Sequence, residues 1–188
     1  MTASCLALGA LAAGLGACSS SGNAAPTTTT TSQPASFASL VGAGNVLLRS
    51  GNLNAAQQLF EQAIKANPAN AIGYYDLGVV YQQEGQRPDA LREYRLALAE
   101  DPKYVPAIYN RAVLYEVTNP PLAIFYFRTI ISLQPDSPTA YLNLGLLEAQ
   151  TKATLPQALV ALNKAVKLDP SLLANVPLSL RSRLSKSK

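Results

Sequence analysis

The sequence predicts an all-α solenoid of about four stacked helix-turn-helix units, closed by a C-terminal capping helix. Three observations carry this expectation. Prolines stand at 68, 102, 135 and 170, spaced by 34, 33 and 35 residues. Ala56, Ala90, Ala123 and Ala158 keep the same spacings, as do Phe60, Tyr94, Phe127 and Leu162. A fixed period of this size marks a repeat array, in which one unit cannot bury its own apolar face but stacked neighbours can. Finally, hydrophobic residues make up 48% and charged residues only 14% of the 188, and much of the apolar share is Ala and Leu, both good helix formers.

Ahead of the array, residues 1–17 carry no charged side chain, and an apolar run extends from Leu6 to Ala17. It is too short to cross a bilayer core of roughly 30 Å as a helix, and it suits the apolar centre of a secretory signal. The run ends in Leu15-Gly16-Ala17-Cys18, with Ser19-Ser20-Ser21-Gly22 behind it. This resembles the lipobox of bacterial lipoproteins: a branched apolar residue, two small residues and a cysteine. The resemblance implies that 1–17 is a cleaved signal peptide and that Cys18 becomes the lipid-bearing N-terminus. It also implies a place on the extracytoplasmic face of the cell membrane, the outer membrane where the cell has one. One departure is that Met1-Thr2-Ala3-Ser4 lacks the Lys or Arg with which such leaders usually begin. Residues 19–36 are Ser/Thr/Pro-rich without periodicity, so 18–36 reads as the lipidated cysteine and a disordered tether. As a flexible coil that tether would span roughly 25 Å.

The four units are 37–70, 71–104, 105–137 and 138–170, each read as two amphipathic helices. Small residues at Gly44, Gly78, Ala112 and Gly145 mark the first helix, where the partner helix crosses closely. Pro88, Pro121 and Pro156 fall near the start of a second helix, where a missing N–H costs nothing. Pro68, Pro102, Pro135 and Pro170 end the second helices. The third unit is the least regular, with Arg111 where an apolar residue is usual and Asn119-Pro120-Pro121 at a shortened turn. Residues 171–188 read as a capping helix, which Pro177 could interrupt, and a basic tail.

These positions resemble the tetratricopeptide repeat. Ala71–Tyr104 fills nearly all of its signature, with Tyr74, Leu77-Gly78, Tyr81, Gly85, Ala90, Tyr94, Ala97 and Pro102. The resemblance implies a concave groove lined by the first helix of each unit. Its fifth and ninth positions are Val41 and Asn45, Tyr75 and Val79, Tyr109 and Val113, and Leu142 and Leu146. That set is mostly apolar with few charges, and it suits a helix face or an extended apolar segment. Only Asn45 and Arg49 fit a clamp for a carboxylate, so no such clamp is expected. Tyr75 and Tyr109, facing the groove, are expected to matter little to folding, and Tyr94 to matter much. In Phe125-Tyr126-Phe127, Phe127 is the expected buried aromatic. Phe125 should point outward on the convex side, where it could serve a partner or a second copy.

Composition excludes several functions. The array has no His or Trp, and the two cysteines, Cys5 and Cys18, precede it, so it can build neither a disulfide nor a Cys/His zinc site. The net charge of +4 is matched by Arg181, Arg183, Lys186 and Lys188 in the last eight residues, which leaves 11 bases against 11 acids. A neutral body without a basic stripe argues against nucleic-acid binding. No nucleophile motif, phosphate-cradling loop or paired carboxylates are present, so neither an enzyme nor a cofactor is expected. The function expected is a membrane-anchored scaffold that binds a peptide or helix of a cell-envelope protein. The alternative is a structural envelope protein that self-associates and takes no peptide.

Overall fold

A computed structural model describes residues 35–150 and 154–184. The signal peptide, Cys18 and nearly all of the tether lie outside the described residues. The array consists of α1 (Phe37–Arg49), α2 (Leu53–Ala66), α3 (Ala71–Gln83), α4 (Arg87–Glu100), α5 (Val105–Tyr115), α6 (Pro120–Leu133), α7 (Pro138–Glu148) and α8 (Leu155–Leu168). A 3₁₀ turn over Pro170–Asn175 and a short α9 (Leu178–Leu184) follow. Among the described residues no helix is long and apolar enough to cross a membrane.

Local chemistry sets the boundaries. Ser36, Asn52, Asn70 and Asn119 accept hydrogen bonds from the first turns of α1, α2, α3 and α6, satisfying N–H groups that have no partner within the helix. Gly51 and Gly85, between the helices of the first two units, have φ of +78° and +76°, a region where a side chain would clash. Asn67, Asp101, Gln134 and Asp169 close α2, α4, α6 and α8 with extended ψ between 81° and 100°. Each precedes a proline, whose ring excludes helical backbone from the residue before it. The periodic prolines therefore act as stops, and the chain leaves each unit in the same direction.

Within a unit the two helices pack against each other, and each second helix packs on the next first helix. Small residues permit the close crossing. A Cβ built on Gly44 would stand 2.5 Å from the Phe60 ring, one on Gly78 2.6 Å from the Tyr94 ring, and one on Gly145 2.6 Å from Leu162. Phe60, Tyr94, Phe127 and Leu162 are all fully buried. These four, at one position of the repeat, are the centres of four successive core clusters.

The C-terminal cap is not one helix. Leu172 packs from the 3₁₀ turn, the chain breaks at Val176-Pro177, and α9 begins at Leu178. Val176 and Leu184 are buried with Leu142, Leu162 and Ala165, and the Arg181 guanidinium donates to the Val176 and Ala174 carbonyls. Leu178, at 77% exposure, faces outward.

Candidate functional site: the concave face

The groove positions lie on α1, α3, α5 and α7. Val41, Asn45, Tyr75, Val79, Tyr109, Val113 and Leu146 are half-buried, which leaves part of each available at the surface. Leu142 differs: it is 5% exposed and sits in the cluster closed by Val176 and Leu184. Its expected place in the groove is corrected, because the C-terminal cap covers the end of the array and takes this side chain into its core.

Polar side chains stand beside these mostly apolar positions. The sixth position of successive first helices holds Gly42, Asp76, Asn110 and Asn143, and the three polar side chains bond to groove residues or to the core tyrosine. Asn45 donates to Asp76 at 3.5 Å across the first two units. Asn143 donates to the Tyr109 hydroxyl at 3.0 Å across the last two. Asn110 donates to the Tyr94 hydroxyl at 3.0 Å, and that hydroxyl in turn donates to Gln82 Oε1 at 2.7 Å. The Tyr94 ring is a fully buried core residue on α4 that passes beneath Gly78, so its hydroxyl bonds side chains of α3 and α5. The result is a row of polar groups in the second, third and fourth units, set beside the half-buried tyrosines and valines. The repeat register carries this signal, since three of four units hold a short polar residue at this position. The sixth position is not among those that the resemblance assigns to the groove.

Tyr75 is more deeply built in than a simple groove residue. Its ring lies 5.8 Å from that of Tyr94 and 5.4 Å, edge-on, from that of Tyr104. Burial, and next the charge of Asp76, raise its hydroxyl above the usual phenol value. Tyr109 likewise meets Phe127 edge-on at 5.9 Å. Both groove tyrosines thus also pack on aromatic neighbours, a contact that bears on their expected small weight in folding. Burial pushes the Asp76 carboxyl up to about 6, with the Asn45 hydrogen bond opposing. The Tyr104 hydroxyl is pushed up to about 12, by burial first and then by Asp76.

On the convex side Phe127 is fully buried, and Phe125 is 61% exposed. Nearby, a crevice of about 280 Å³ opens between α6, α7 and α8, lined by Arg128, Tyr141, Leu144, Glu148, Val160 and Ala161 among others. Val160 at its edge is 65% exposed. Among the described residues no group of His, Cys, Asp and Glu could hold a metal ion.

Comparison with known proteins agrees with this fold. The family model described as tetratricopeptide repeat matches residues 41–105. The type IV pilus assembly protein PilF of Pseudomonas aeruginosa is 31% identical over 147 residues, covering 76% of this chain and 58% of that protein. The solved structure of that pilF superimposes with a TM-score of 0.64 at 23% identity, covering 81% of this chain and 76% of that one. YrrB, described as a tetratricopeptide protein with an unusual peptide-binding site, gives a TM-score of 0.60 at 24% identity, covering 80% of this chain and 74% of its own. A probable peptide N-acetylglucosaminyltransferase, SPINDLY of Solanum lycopersicum, is 35% identical over 79 residues, or 42% of this chain and 8% of that enzyme. The chain thus spans little more than half of the pilus protein and a small fraction of the transferase. Residues 41–105 thus match the tetratricopeptide repeat, and the described part has the fold of the tetratricopeptide solenoids.

Proposed function

We propose that this protein is a lipid-anchored scaffold of the bacterial cell envelope, without catalytic activity, that binds a segment of an envelope protein in its concave groove. The fold is one used for protein–protein interaction. The observation that carries the groove assignment is the row of Asp76, Asn110 and Asn143 beside Tyr75, Tyr94 and Tyr109. Aromatic faces offer rigid contact area, and the amides offer donors and acceptors to the backbone of a bound segment. An extended segment whose own N–H and C=O groups are free matches such a row better than a helix, whose backbone groups are already paired. The anchor is supported by Leu15-Gly16-Ala17-Cys18. PilF is by name a pilus assembly protein, and a similar task in assembling an envelope structure fits this reading.

The test is co-purification from envelope extract with the intact lipidated chain as bait. Val79→Lys with Val113→Lys should lower capture of any specific partner by more than tenfold, as loss of central contacts does at interfaces. The folded spectrum should be kept, because Lys can run its stem along the apolar surface. Cys18→Ala should move the protein from the membrane fraction to the soluble one or leave it unprocessed. Unchanged partitioning and mobility would remove the anchor from the account.

A second reading has its own observation. Phe125 on α6 and Val160 on α8, the latter lining the crevice, expose large apolar surface, and a second copy of the chain could cover it. Concentration-dependent mass, abolished by Phe125→Ser and indifferent to the groove variants, would favour that reading.

A further inference from the structure

Three acidic side chains of the described residues are buried: Asp76, Glu93 and Glu148, exposed to 6%, 5% and 3%. Withdrawing an ionised carboxylate from water is costly unless a cation or several donors compensate it. Glu93 has Arg92, whose Nε is 3.0 Å away, and Glu148 has Arg128 at 2.6 Å. Asp76 has no such partner: none of the ion pairs among the described residues includes it. A carboxylate can accept about four hydrogen bonds, and the side chain that donates to Asp76 is Asn45, at a long 3.5 Å.

The acid without a cation is also the one that belongs to the concave groove. It is tied to the ninth position of the first unit through Asn45, and three phenols lie within its electrostatic reach: burial raises the hydroxyls of Tyr75, Tyr94 and Tyr104, and the charge of Asp76 adds to that. The Tyr75 and Tyr104 rings meet edge-on at 5.4 Å. Aromatic faces attract a cation through the ring quadrupole, so the tyrosines and the carboxylate favour the same kind of guest.

We propose that the groove selects a segment bearing a lysine or arginine side chain, whose cation pairs with Asp76 and lies against the neighbouring tyrosines. This rests on the reading of the groove as a peptide site and adds the chemistry of one ligand residue to it. The ligand cation supplies to Asp76 what Arg92 and Arg128 supply to Glu93 and Glu148. The long bond from Asn45 is then joined by one in which donor and acceptor are both charged.

The probe is a pool of N-acetylated random dodecapeptides passed over the full chain, held in mild detergent through its C-terminus at pH 7.5, with the retained peptides sequenced by mass spectrometry. Lys and Arg should be enriched roughly threefold or more over the pool, the range of a partly exposed ion pair. The Asp76→Asn variant should retain a similar amount of peptide without that enrichment. Asn45→Lys, which places a cation of the chain itself beside Asp76, should also suppress it, and so keeps the test decisive should Asp76→Asn fold poorly. Retained peptides with no basic enrichment, or enrichment unchanged in both variants, would overturn the role of Asp76 and leave the groove standing. Retention of no peptide by the wild type would overturn the groove reading and this inference with it.

Discussion

The Tyr94 ring lies so close to Gly78 that a Cβ on that glycine would stand 2.6 Å from its Cε1 atom. The missing side chain is what lets a core tyrosine on α4 thread past α3 and place its hydroxyl between Gln82 and Asn110. One contact therefore joins the packing of the second unit to the chemistry of the groove.

Gly78→Leu should accordingly destabilise the array by roughly 1–3 kcal/mol or more, since the core would be overfilled and the ring displaced. Gly42, on α1, is the control: a Cβ there meets nothing within 4 Å. Gly42→Ala should stabilise by about 0.5–1 kcal/mol through reduced freedom of the unfolded chain. Thermal unfolding followed by circular dichroism measures both, and a tolerated Gly78→Leu would contradict the repeat register.

Tyr94 itself separates ring from hydroxyl. Tyr94→Ala should cost about 3–5 kcal/mol as a large core truncation. Tyr94→Phe keeps the ring but leaves the Asn110 amide without its acceptor, at about 1–3 kcal/mol. Tyr75→Ala should cost stability too, because its ring packs on Tyr94 and Tyr104. Chemical denaturation of the three variants should rank Tyr94→Ala as the most damaging. A Tyr75→Ala variant as stable as wild type would return that residue to a pure surface role.

Asp76 gives the pH dependence. Its folded pKa of about 6 lies above the ordinary 3.8, so the folded protein holds the proton to higher pH than the unfolded chain does. Stability from this group is full below about pH 4, falls as pH rises from there to about 6, and is flat above. The loss is on the order of 3 kcal/mol, from about 1.4 kcal/mol for each pKa unit. Asp76→Asn cannot titrate. Its stability relative to wild type should therefore rise between pH 4 and 7, and a constant difference across that window would contradict the burial of an uncompensated acid.

The solenoid was legible in the sequence because its determinants are strictly local and periodic. A proline stops each second helix, a small residue sits where the helices cross, and an aromatic or Leu162 fills the space beneath. The groove was legible only in part. Helices such as α3 and α7 are buried on more than one side, so their apolar residues do not divide into a core face and a ligand face. Leu142 has groove spacing, but the broken cap after Pro170 buries it, and that break depends on tertiary packing of Val176 and Leu184. Tyr94 has core spacing, yet spacing locates a Cα and not the end of a long side chain. Asp76 could be placed by register, but whether a buried acid is paired depends on where distant arginines reach.

The central claim is that partners engage the concave face, and site-specific photocrosslinking of the full lipidated chain in its own envelope tests it most directly. A benzophenone side chain is placed at Val79 or Val113 in one set and at Phe125 or Val160 in the other. The account predicts a discrete heteromeric adduct from the concave positions, lost when Asn110 is replaced by Leu. Adducts from the convex positions alone, with the concave ones silent, would contradict it.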